Sequence, residues 1–255
     1  MLADTRAVIL AAGIGSRLRP HTEFTPKPLV RVNGVPILHN ALRQLSDLGV
    51  REAVIVVGYR EGDIVRSCGD RFGNLELHYI HNEVFDRTGS AYSLWLARST
   101  MMGGDILFLE GDVFFERTVL ERTVSSVSRD RQNVAAVAAF DAAMTGSAVE
   151  LSGDGSITTF SLNNVAAEAQ ARGLFKTVNM MRLSASASRE LIVPALQRAV
   201  EHGHLNCFVE EVLADLVEDR TLQLSAADCT NTRWIEIDCV EDLRSAEALF
   251  GWLTG

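Results

Sequence analysis

Residues 7–30 of the chain read AVILAAGIGSRLRPHTEFTPKPLV, and this stretch decides the fold. Residues 7–12 form a continuous apolar run, which predicts a strand buried on both faces within a parallel sheet. The run ends at Gly13 and Gly15, and two glycines at this spacing let the backbone turn sharply and expose its N–H groups. A strand followed by such a loop predicts a binding site for an anion, with a phosphate chain as its natural occupant.

Two cationic side chains follow the glycines. Arg17 adds a planar, permanently charged fork of N–H donors. Lys27 stands between Pro26 and Pro28, which restrict the backbone, so its ammonium group is presented with little entropy left to lose. The dinucleotide fingerprint is excluded because Leu18 stands where its third glycine belongs, and the P-loop because no Gly-Lys-Ser/Thr follows. The pattern therefore predicts a polyphosphate site of another kind.

The composition bounds the class of protein. The chain has 255 residues, of which 47% are hydrophobic and 22% are charged, as expected for one globular domain with a sizeable core. Its formal net charge of −9 argues against a general nucleic-acid binder. An anionic ligand must therefore be met by a local cluster of arginine and lysine.

The cysteines and the apolar runs indicate where the protein works. The four cysteines, Cys68, Cys207, Cys229 and Cys239, lack CxxC spacing, so we expect neither a disulfide framework nor a cysteine metal cluster. The chain begins without a charged-then-apolar signal segment. No apolar run in the sequence approaches the roughly 18 residues that span a bilayer. We therefore expect a cytoplasmic protein that does not bind membranes.

Strands and helices alternate along the first half of the chain. Apolar runs over 53–57 and 106–109 and an alternating pattern over 75–80 predict strands, and helical patterns separate these strands from one another and from the first, two of them covering 36–48 and 61–71. This order predicts an α/β fold with a doubly wound, mostly parallel sheet. Ligands in such sheets bind beyond the carboxyl ends of the strands, where the glycine loop lies.

The pattern changes after residue 132. Strands are predicted over 134–140 and 175–183, with a β-hairpin over 148–160 between them, and two helices follow over about 186–202 and 206–218. A strand over 233–238 and a helix over 241–250 close the chain. No Pro/Gly/Ser-rich linker precedes residue 133, so we expect a small hairpin-and-helix subregion within a single domain.

The chain resembles a known family over nearly its full length. The family is that of the nucleotidyltransferases that condense a nucleoside triphosphate with a phosphorylated small molecule. The specific part of the resemblance is the motif Leu10-Ala11-Ala12-Gly13-x-Gly15-x-Arg17-x-x-Pro20-x-Thr22-x-x-x-Pro26-Lys27-Pro28. The resemblance implies a Rossmann-like fold in which residues 1–132 bind the nucleotide, 133–232 bind the acceptor and 233–255 close the domain.

Site residues follow from matching the motif. The resemblance makes Arg17 and Lys27 the catalytic residues, with loop amides and Arg17 holding the β- and γ-phosphates and Lys27 neutralising charge at the α-phosphorus. The nucleotide-binding residues of the loop are Leu10, Ala11, Ala12, Gly13, Gly15 and Ser16.

Two aspartates resemble the metal ligands of the family. Asp112 follows Gly111 at the end of a buried strand, and Asp238 ends the motif Trp-x-Glu-Ile-Asp. Mg²⁺ is held in proteins by one or two carboxylates together with substrate phosphates, so we expect Mg²⁺ between these two residues. Glu236 stands on the same strand face and is the alternative ligand, and Asp238 is alternatively a helix cap.

The loop over 81–90 is the predicted base-recognition site. Asn82 and Ser90 stand near the positions at which family members recognise the base. The alternative is an ordinary capped helix in which Ser90 only satisfies backbone groups.

The acceptor half favours one branch of the family. The Glu-Lys-Pro element that sugar-phosphate members carry after the hairpin is replaced here by residues 159–162. Segments 92–94, 176–179 and 208–211 resemble instead the branch that makes CDP-linked small molecules, which includes phosphocholine and phosphonate cytidylyltransferases. We therefore expect CTP as the nucleotide. The implied acceptor-binding residues are Lys176, Asn179 and Glu210.

The small number of aromatic residues narrows the choice of acceptor. A choline head group needs an aromatic cage, and the chain has only three Trp and three Tyr, with Met181 where an aromatic side chain is expected. A phosphonate or another small phosphorylated acceptor is favoured, with Lys176 as a partner for its oxyanion or, equally, as a solvated strand end.

Three alternatives stay open. One is a sugar-1-phosphate nucleotidyltransferase using dTTP, UTP or GTP, and another is a phosphocholine cytidylyltransferase. The third is a non-catalytic regulatory homologue, against which the intact Arg17, Lys27, Asp112 and Asp238 argue. The expected partners are CTP and a small phosphonate or phosphate acceptor, and the assembly, a homodimer included, stays open.

Overall fold

The architecture is built on a ten-stranded mixed sheet, seen in a computed structural model that describes residues 5–142 and 144–251. The strands of these described residues are β1 Arg6–Ala11, β2 Arg31–Val32, β3 Val35–Pro36, β4 Glu52–Val57, β5 Arg71–Phe72, β6 Leu75–His81, β7 Ile106–Glu110, β8 Val113–Phe115, β9 Val134–Ala139, β10 Thr145–Leu151, β11 Ile157–Val165, β12 Phe175–Leu183, β13 Ser225–Asp228 and β14 Trp234–Glu236.

Helices cover both faces of this sheet. They are α1 Ile37–Leu48, α2 Glu61–Cys68, α3 Ser90–Leu96, α4 Arg98–Gly103, α5 Arg117–Ser125, α6 Ala166–Ala171, α7 Ala185–Ala187, α8 Val193–Glu201, α9 Val209–Glu218 and α10 Val240–Leu249. A π-helical turn at Ser188–Ile192 joins α7 to α8. It ends beside Pro194, whose missing N–H and ring disturb the regular helical hydrogen bonds at this point.

The sheet order is β11-β10-β12-β7-β1-β4-β6-β5, and β9 pairs with β12 and β13. β1 lies between β7 and β4 and is parallel to both, with Leu10 opposite Glu110 and Val56. β12 then joins antiparallel to β7 and carries the hairpin β10–β11. The predicted α/β fold with its parallel sheet around the first strand is confirmed.

Alternation along β1 divides the core into two layers. Ala7, Ile9 and Ala11 pack with buried residues of α1, α2 and α5 on one face. Val8 and Leu10 pack with α3, α8 and α9 on the other. Successive side chains of a strand point to opposite faces, so an unbroken apolar run is what a strand covered on both sides requires.

A third, smaller core attaches the C-terminal segment. Leu18, Phe114, Ile237 and Phe250 are buried together beside the main sheet. β14 pairs antiparallel with β8 in a separate two-stranded ribbon. The strand predicted over 233–238 is shorter than expected: β14 covers Trp234–Glu236, one further hydrogen bond joins the N–H of Ile237 to the carbonyl of Asp112 at 3.0 Å, and the chain then turns toward α10.

The secondary structure of one segment in the hairpin subregion is more regular than a loop. Residues 161–173 are polar and rich in alanine, which predicts a loop or a short helix; in the structure β11 continues to Val165 and the short helix α6 follows it. No helix within the described residues combines the length and the apolar character that crossing a bilayer requires.

The third core gives a stability prediction. Phe250 is 1% exposed and its ring lies edge-on to Phe114, with a centroid distance of 4.8 Å. Phe250→Ala should lower the free energy of unfolding by about 3–5 kcal/mol, because a cavity replaces the ring. Phe24→Ala is the matched control, since Phe24 is 74% exposed and its loss should change stability by about 0.5 kcal/mol at most. Urea unfolding measures both, and a loss under about 1 kcal/mol for Phe250→Ala would contradict the role of this core.

Candidate active site

The glycine loop, residues 12–17, lies at the carboxyl end of β1. Gly15 has φ +67°, and a Cβ there would lie 2.8 Å from Lys27 Cβ, so both the backbone conformation and the close approach require glycine. Thr22 Oγ1 donates to the carbonyl of Gly15 at 2.7 Å and holds the loop in place. Leu10 and Ala11 at the end of β1 and the loop residues Gly13, Gly15, Ser16 and Arg17 line a cavity of about 270 Å³.

A cluster of opposite charges closes this cavity. Lys27 Nζ lies 2.7 Å from Asp112 Oδ2 and 2.7 Å from Asp238 Oδ1. Arg17 Nη2 lies 3.0 Å from the same Asp238 oxygen. Residues far apart in the sequence are thereby brought together, as the motif matching predicted.

The opposite charges of the cluster favour the ionised forms of Lys27 and Asp238. Burial lowers the pKa of Lys27, but the charges of Asp112 and Asp238 outweigh burial and raise it above its ordinary value. Burial likewise works to raise the pKa of Asp238, but Lys27 and then Arg17 hold that pKa below its ordinary value.

Local structure explains how each aspartate reaches Lys27. Asp112 follows Gly111, whose N–H donates to the carbonyl of Leu10 at 2.8 Å, and a Cβ on Gly111 would lie 2.6 Å from that oxygen. Asp238 precedes Cys239, the N-cap of α10, and Asp242 in the first turn forms the capping box: its Oδ2 accepts from the N–H of Cys239 at 2.8 Å and from the N–H of Asp238 at 2.9 Å. The capping role considered for Asp238 therefore belongs to Asp242, and the carboxylate of Asp238 faces Lys27.

A second acidic group lies next to the first. One carboxylate oxygen each from Glu110, Asp112 and Glu236 lie within 4.8 Å of one another. Asp112 Oδ1 is buried and has no hydrogen-bond partner within residues 5–142 and 144–251. Hard carboxylate oxygens and one unused buried acceptor fit a hard divalent cation.

Glu110 is a member of this group whose pKa is shifted. Burial, followed by the negative charges of Glu210, Asp112 and Glu236, raises its pKa well above the ordinary value. Sequence reasoning missed Glu110. The available signal was a charged residue inside the buried run of β7, directly before Gly111 and Asp112.

Lys176 is neither free nor solvated. Its side chain is 3% exposed, and Nζ donates to Glu236 Oε2 at 3.0 Å and to the carbonyl of Thr177 at 2.9 Å. Asn179 Nδ2 donates to Glu236 Oε1 at 3.1 Å from a position in β12 with φ +56°, where the strand register shifts. Of the two interpretations of Lys176, the solvated strand end is wrong, and its ammonium is paired with Glu236 rather than facing solvent.

A larger cavity of about 370 Å³ lies beyond the carboxylates. It is lined by the hairpin residues Gly146, Ser147 and 162–165 and by Asn179, Phe208, Glu210 and Glu236. Glu210 is 6% exposed and forms no ion pair within the described part of the chain, although its own backbone N–H contacts it. Burial raises the pKa of Glu210. Phe208, which sequence reasoning did not single out, is an exposed ring at this cavity.

Asn82 and Ser90 hold their loop together. Asn82 is fully buried, and its Nδ2 donates to Thr88 Oγ1 at 3.0 Å and to Ser93 Oγ at 3.1 Å. Ser90 Oγ accepts from the N–H of Val209 at 3.0 Å. These are the backbone and loop contacts of the alternative interpretation, and a contact between either side chain and a base stays a prediction.

Known proteins resemble the chain in sequence and in fold. The CMP-5'-(3-aminopropyl)phosphonate synthase of Streptomyces rubellomurinus is 33% identical over 248 residues, which are 96% of this chain and 38% of that protein. The choline-phosphate cytidylyltransferase of Streptococcus pneumoniae is 25% identical over 253 residues, which are 96% of the chain and 97% of that protein. The chain thus spans well under half the length of the first relative and almost all of the second.

A solved structure gives the same fold. The CTP:phosphocholine cytidylyltransferase of Streptococcus pneumoniae superposes with a TM-score of 0.78 at 20% identity, covering 96% of this chain and 99% of that one. The sequence profile of one family matches residues 7–219. Together with the glycine loop and the charge cluster at its mouth, this match shows that the chain belongs to the family of MobA-like NTP transferase domains.

Proposed function

We propose that the chain is a Mg²⁺-dependent cytidylyltransferase that transfers CMP from CTP to a small phosphonate or phosphorylated acceptor and releases pyrophosphate. The observation that carries this proposal is the position of the Lys27–Asp112–Asp238 cluster between two cavities, the glycine-loop cavity on one side and the carboxylate-lined cavity on the other. Residues 1–132 would bind the nucleotide, 133–232 the acceptor, and 233–255 would close the domain and supply Asp238.

The nucleotide fits the first cavity by charge. Amide groups of the glycine loop, with Arg17, bind the β- and γ-phosphates. Lys27 neutralises the charge that grows around the α-phosphorus, and its stem is held against Gly15 by the tight packing there. Because the net charge of the protein is −9, binding of a polyanion depends on these local cations.

Asp112 and Asp238 are the residues that we propose to hold Mg²⁺, with Glu236 as the next candidate. The unused Asp112 Oδ1 supports this assignment. When bound, Mg²⁺ would neutralise phosphate charge and help to align the two anionic reactants.

The main contribution of the protein to this reaction is to position the reactants. An acceptor oxygen that is already ionised at neutral pH attacks the α-phosphorus, so no general base is required. The two anions must be brought together in line, and Lys27 and Arg17 offset their repulsion. Lys176 and Asn179 fix the carboxylate of Glu236, which forms one wall of the acceptor cavity.

Glu210 indicates the other end of the acceptor. A buried carboxylate that no cation of the described residues pairs with calls for a cationic group in the cavity that it lines. The two relatives are named for acceptors that carry nitrogen, an aminopropylphosphonate and a choline phosphate. Phe208 is a single exposed ring rather than a cage, which favours a primary ammonium over choline. We therefore propose an aminoalkylphosphonate acceptor.

Product analysis tests the proposed function. Protein incubated with Mg²⁺, 3-aminopropylphosphonate and each of CTP, dTTP, UTP and GTP in turn should give a phosphonate–CMP anhydride and pyrophosphate with CTP, both visible by ³¹P NMR. CTP should exceed each other triphosphate in rate by at least about 10-fold, a gap of about 1.4 kcal/mol in transition-state binding. An equal or faster rate with dTTP, UTP or GTP would overturn the choice of CTP, and glucose-1-phosphate as the better acceptor would favour the sugar-nucleotide alternative.

Glu210→Gln tests the cationic end of the acceptor. The variant should lower kcat/KM for 3-aminopropylphosphonate by about 30-fold or more, because a buried ammonium loses its charge partner. The rate with propylphosphonate, which lacks the amine, should change by less than about 3-fold, well under the loss of a charge pair. Asp215→Asn, an exposed carboxylate on the same helix, is the matched control and should change neither. An equal loss with both acceptors would mean that Glu210 serves the fold or the nucleotide instead.

A further inference from the structure

We infer that Lys27 is the internal counter-ion of the metal site: in the nucleotide-free protein its ammonium group occupies the place between Asp112 and Asp238, so that a divalent cation binds tightly only after a bound nucleotide draws Lys27 away. This inference rests on the proposed function for the identity of the nucleotide. It predicts that metal and nucleotide bind cooperatively.

The first step is the geometry of the ammonium group. It bridges the two carboxylates at 2.7 Å on each side, which are short, charge-assisted hydrogen bonds. Asp112 Oδ2 and Asp238 Oδ1 both accept hydrogen bonds from this ammonium group. A divalent cation shared by Asp112 and Asp238 would need the same space, and the repulsion between an ammonium group and a divalent cation forbids both at once.

Glu236, the alternative metal ligand, is already engaged by two donors. Both oxygens of Glu236 already accept hydrogen bonds, from Lys176 and from Asn179. Among the described residues Asp112 Oδ1 is the one buried carboxylate oxygen without a hydrogen-bond partner, whereas a divalent cation held tightly takes about six oxygen ligands.

The second step is what can move Lys27. The side chain is 12% exposed, so the ammonium cannot simply leave for solvent and needs another anion. Its stem rests on the glycine loop, where a Cβ on Gly15 would lie 2.8 Å from Lys27 Cβ. Pro26 and Pro28 hold the backbone on either side. A phosphate group seated on the loop is therefore the anion within reach, and only the end of the side chain has to move.

Residue choice supports this role. Of the 24 lysine and arginine residues only two are lysines, Lys27 and Lys176, and both pair with buried or half-buried carboxylates of this site. A compact ammonium with three rotatable donors can exchange one oxygen partner for another, whereas the planar guanidinium fork of arginine fixes its partners.

Mn²⁺ binding to the nucleotide-free protein tests the inference. Lys27→Met removes the charge and keeps an apolar stem, so Mn²⁺, counted by electron paramagnetic resonance, should bind this variant at least about 10-fold more tightly than the wild type. Arg6→Met is the matched control, because it also removes one cation. Arg6 lies at the start of β1, away from the cluster, and pairs with Glu52. The Mn²⁺ affinity of Arg6→Met should equal that of the wild type. An unchanged or weaker affinity for folded Lys27→Met would overturn the inference.

A second measurement needs no variant. Because the chain has two lysines, protein labelled with ¹³Cε-lysine gives two side-chain signals, and Lys27→Met assigns them. Mg²⁺ alone at about 1 mM should leave the Lys27 signal in place, while Mg²⁺ with a non-hydrolysable CTP analogue should move it. Movement with Mg²⁺ alone, or no movement with Mg²⁺ and an analogue that is shown to be bound, would overturn the inference.

Failure of this inference and failure of the proposed function are distinguishable. The Mn²⁺ measurement contains no nucleotide and no acceptor, so its result does not depend on which triphosphate the protein uses. Product analysis with CTP tests the function without reference to the position of Lys27 in the free protein.

Discussion

One ammonium group between two carboxylates organises this molecule. Lys27 comes from the loop after β1, Asp112 from the end of β7, and Asp238 from the segment before α10. Two aspartates held this close would repel each other, and Lys27 removes that repulsion while remaining charged. The third core, with Leu18 and Phe250, keeps the C-terminal segment beside the glycine loop, so the ion pairs and the packing support the same arrangement.

The site has two halves, one at each cavity. Lys27 and Asp112 line the glycine-loop cavity, Glu110, Glu210 and Glu236 line the larger one, and Arg17 and Asp238 line both. A polyphosphate suits the first half and a molecule with an anionic and a cationic end suits the second. Burying these carboxylates costs free energy, and a globular core does not require them. Buried ionisable groups of this kind are common at binding and catalytic sites.

The sequence predicted the parts of the site that depend on local rules. An apolar run, two glycines and a lysine between prolines lie within 24 residues, and each has a local physical meaning. Asp112 was predictable because the carboxyl end of a central strand opens on the ligand crevice. The α/β sheet followed from the order of strands and helices.

Other parts depend on contacts that no local pattern contains. Strand alternation placed Glu236 and Asp238 on one face, but β14 ends at Glu236 and the turn sends the two carboxylates to different partners. The pairing of Lys176 with Glu236 joins residues 60 positions apart. Asn179, the other donor to Glu236, has the left-handed conformation inside β12, which an amphipathic pattern does not reveal. Asn82 is fully buried and its amide donates to Thr88 and Ser93, partners that the sequence of the loop does not reveal.

A double-mutant cycle on Asp112 and Asp238 tests most directly whether the cluster acts as one unit. Rates of pyrophosphate release are compared for Asp112→Asn, Asp238→Asn and the double variant, with thermal melts to verify folding. Each single variant should lose on the order of 10²-fold or more, and the double variant should lose little beyond either one, because removing one partner already disables the shared site. Losses that multiply, or near wild-type activity in folded Asp238→Asn, would contradict a shared site and leave Glu236 as the partner of Asp112.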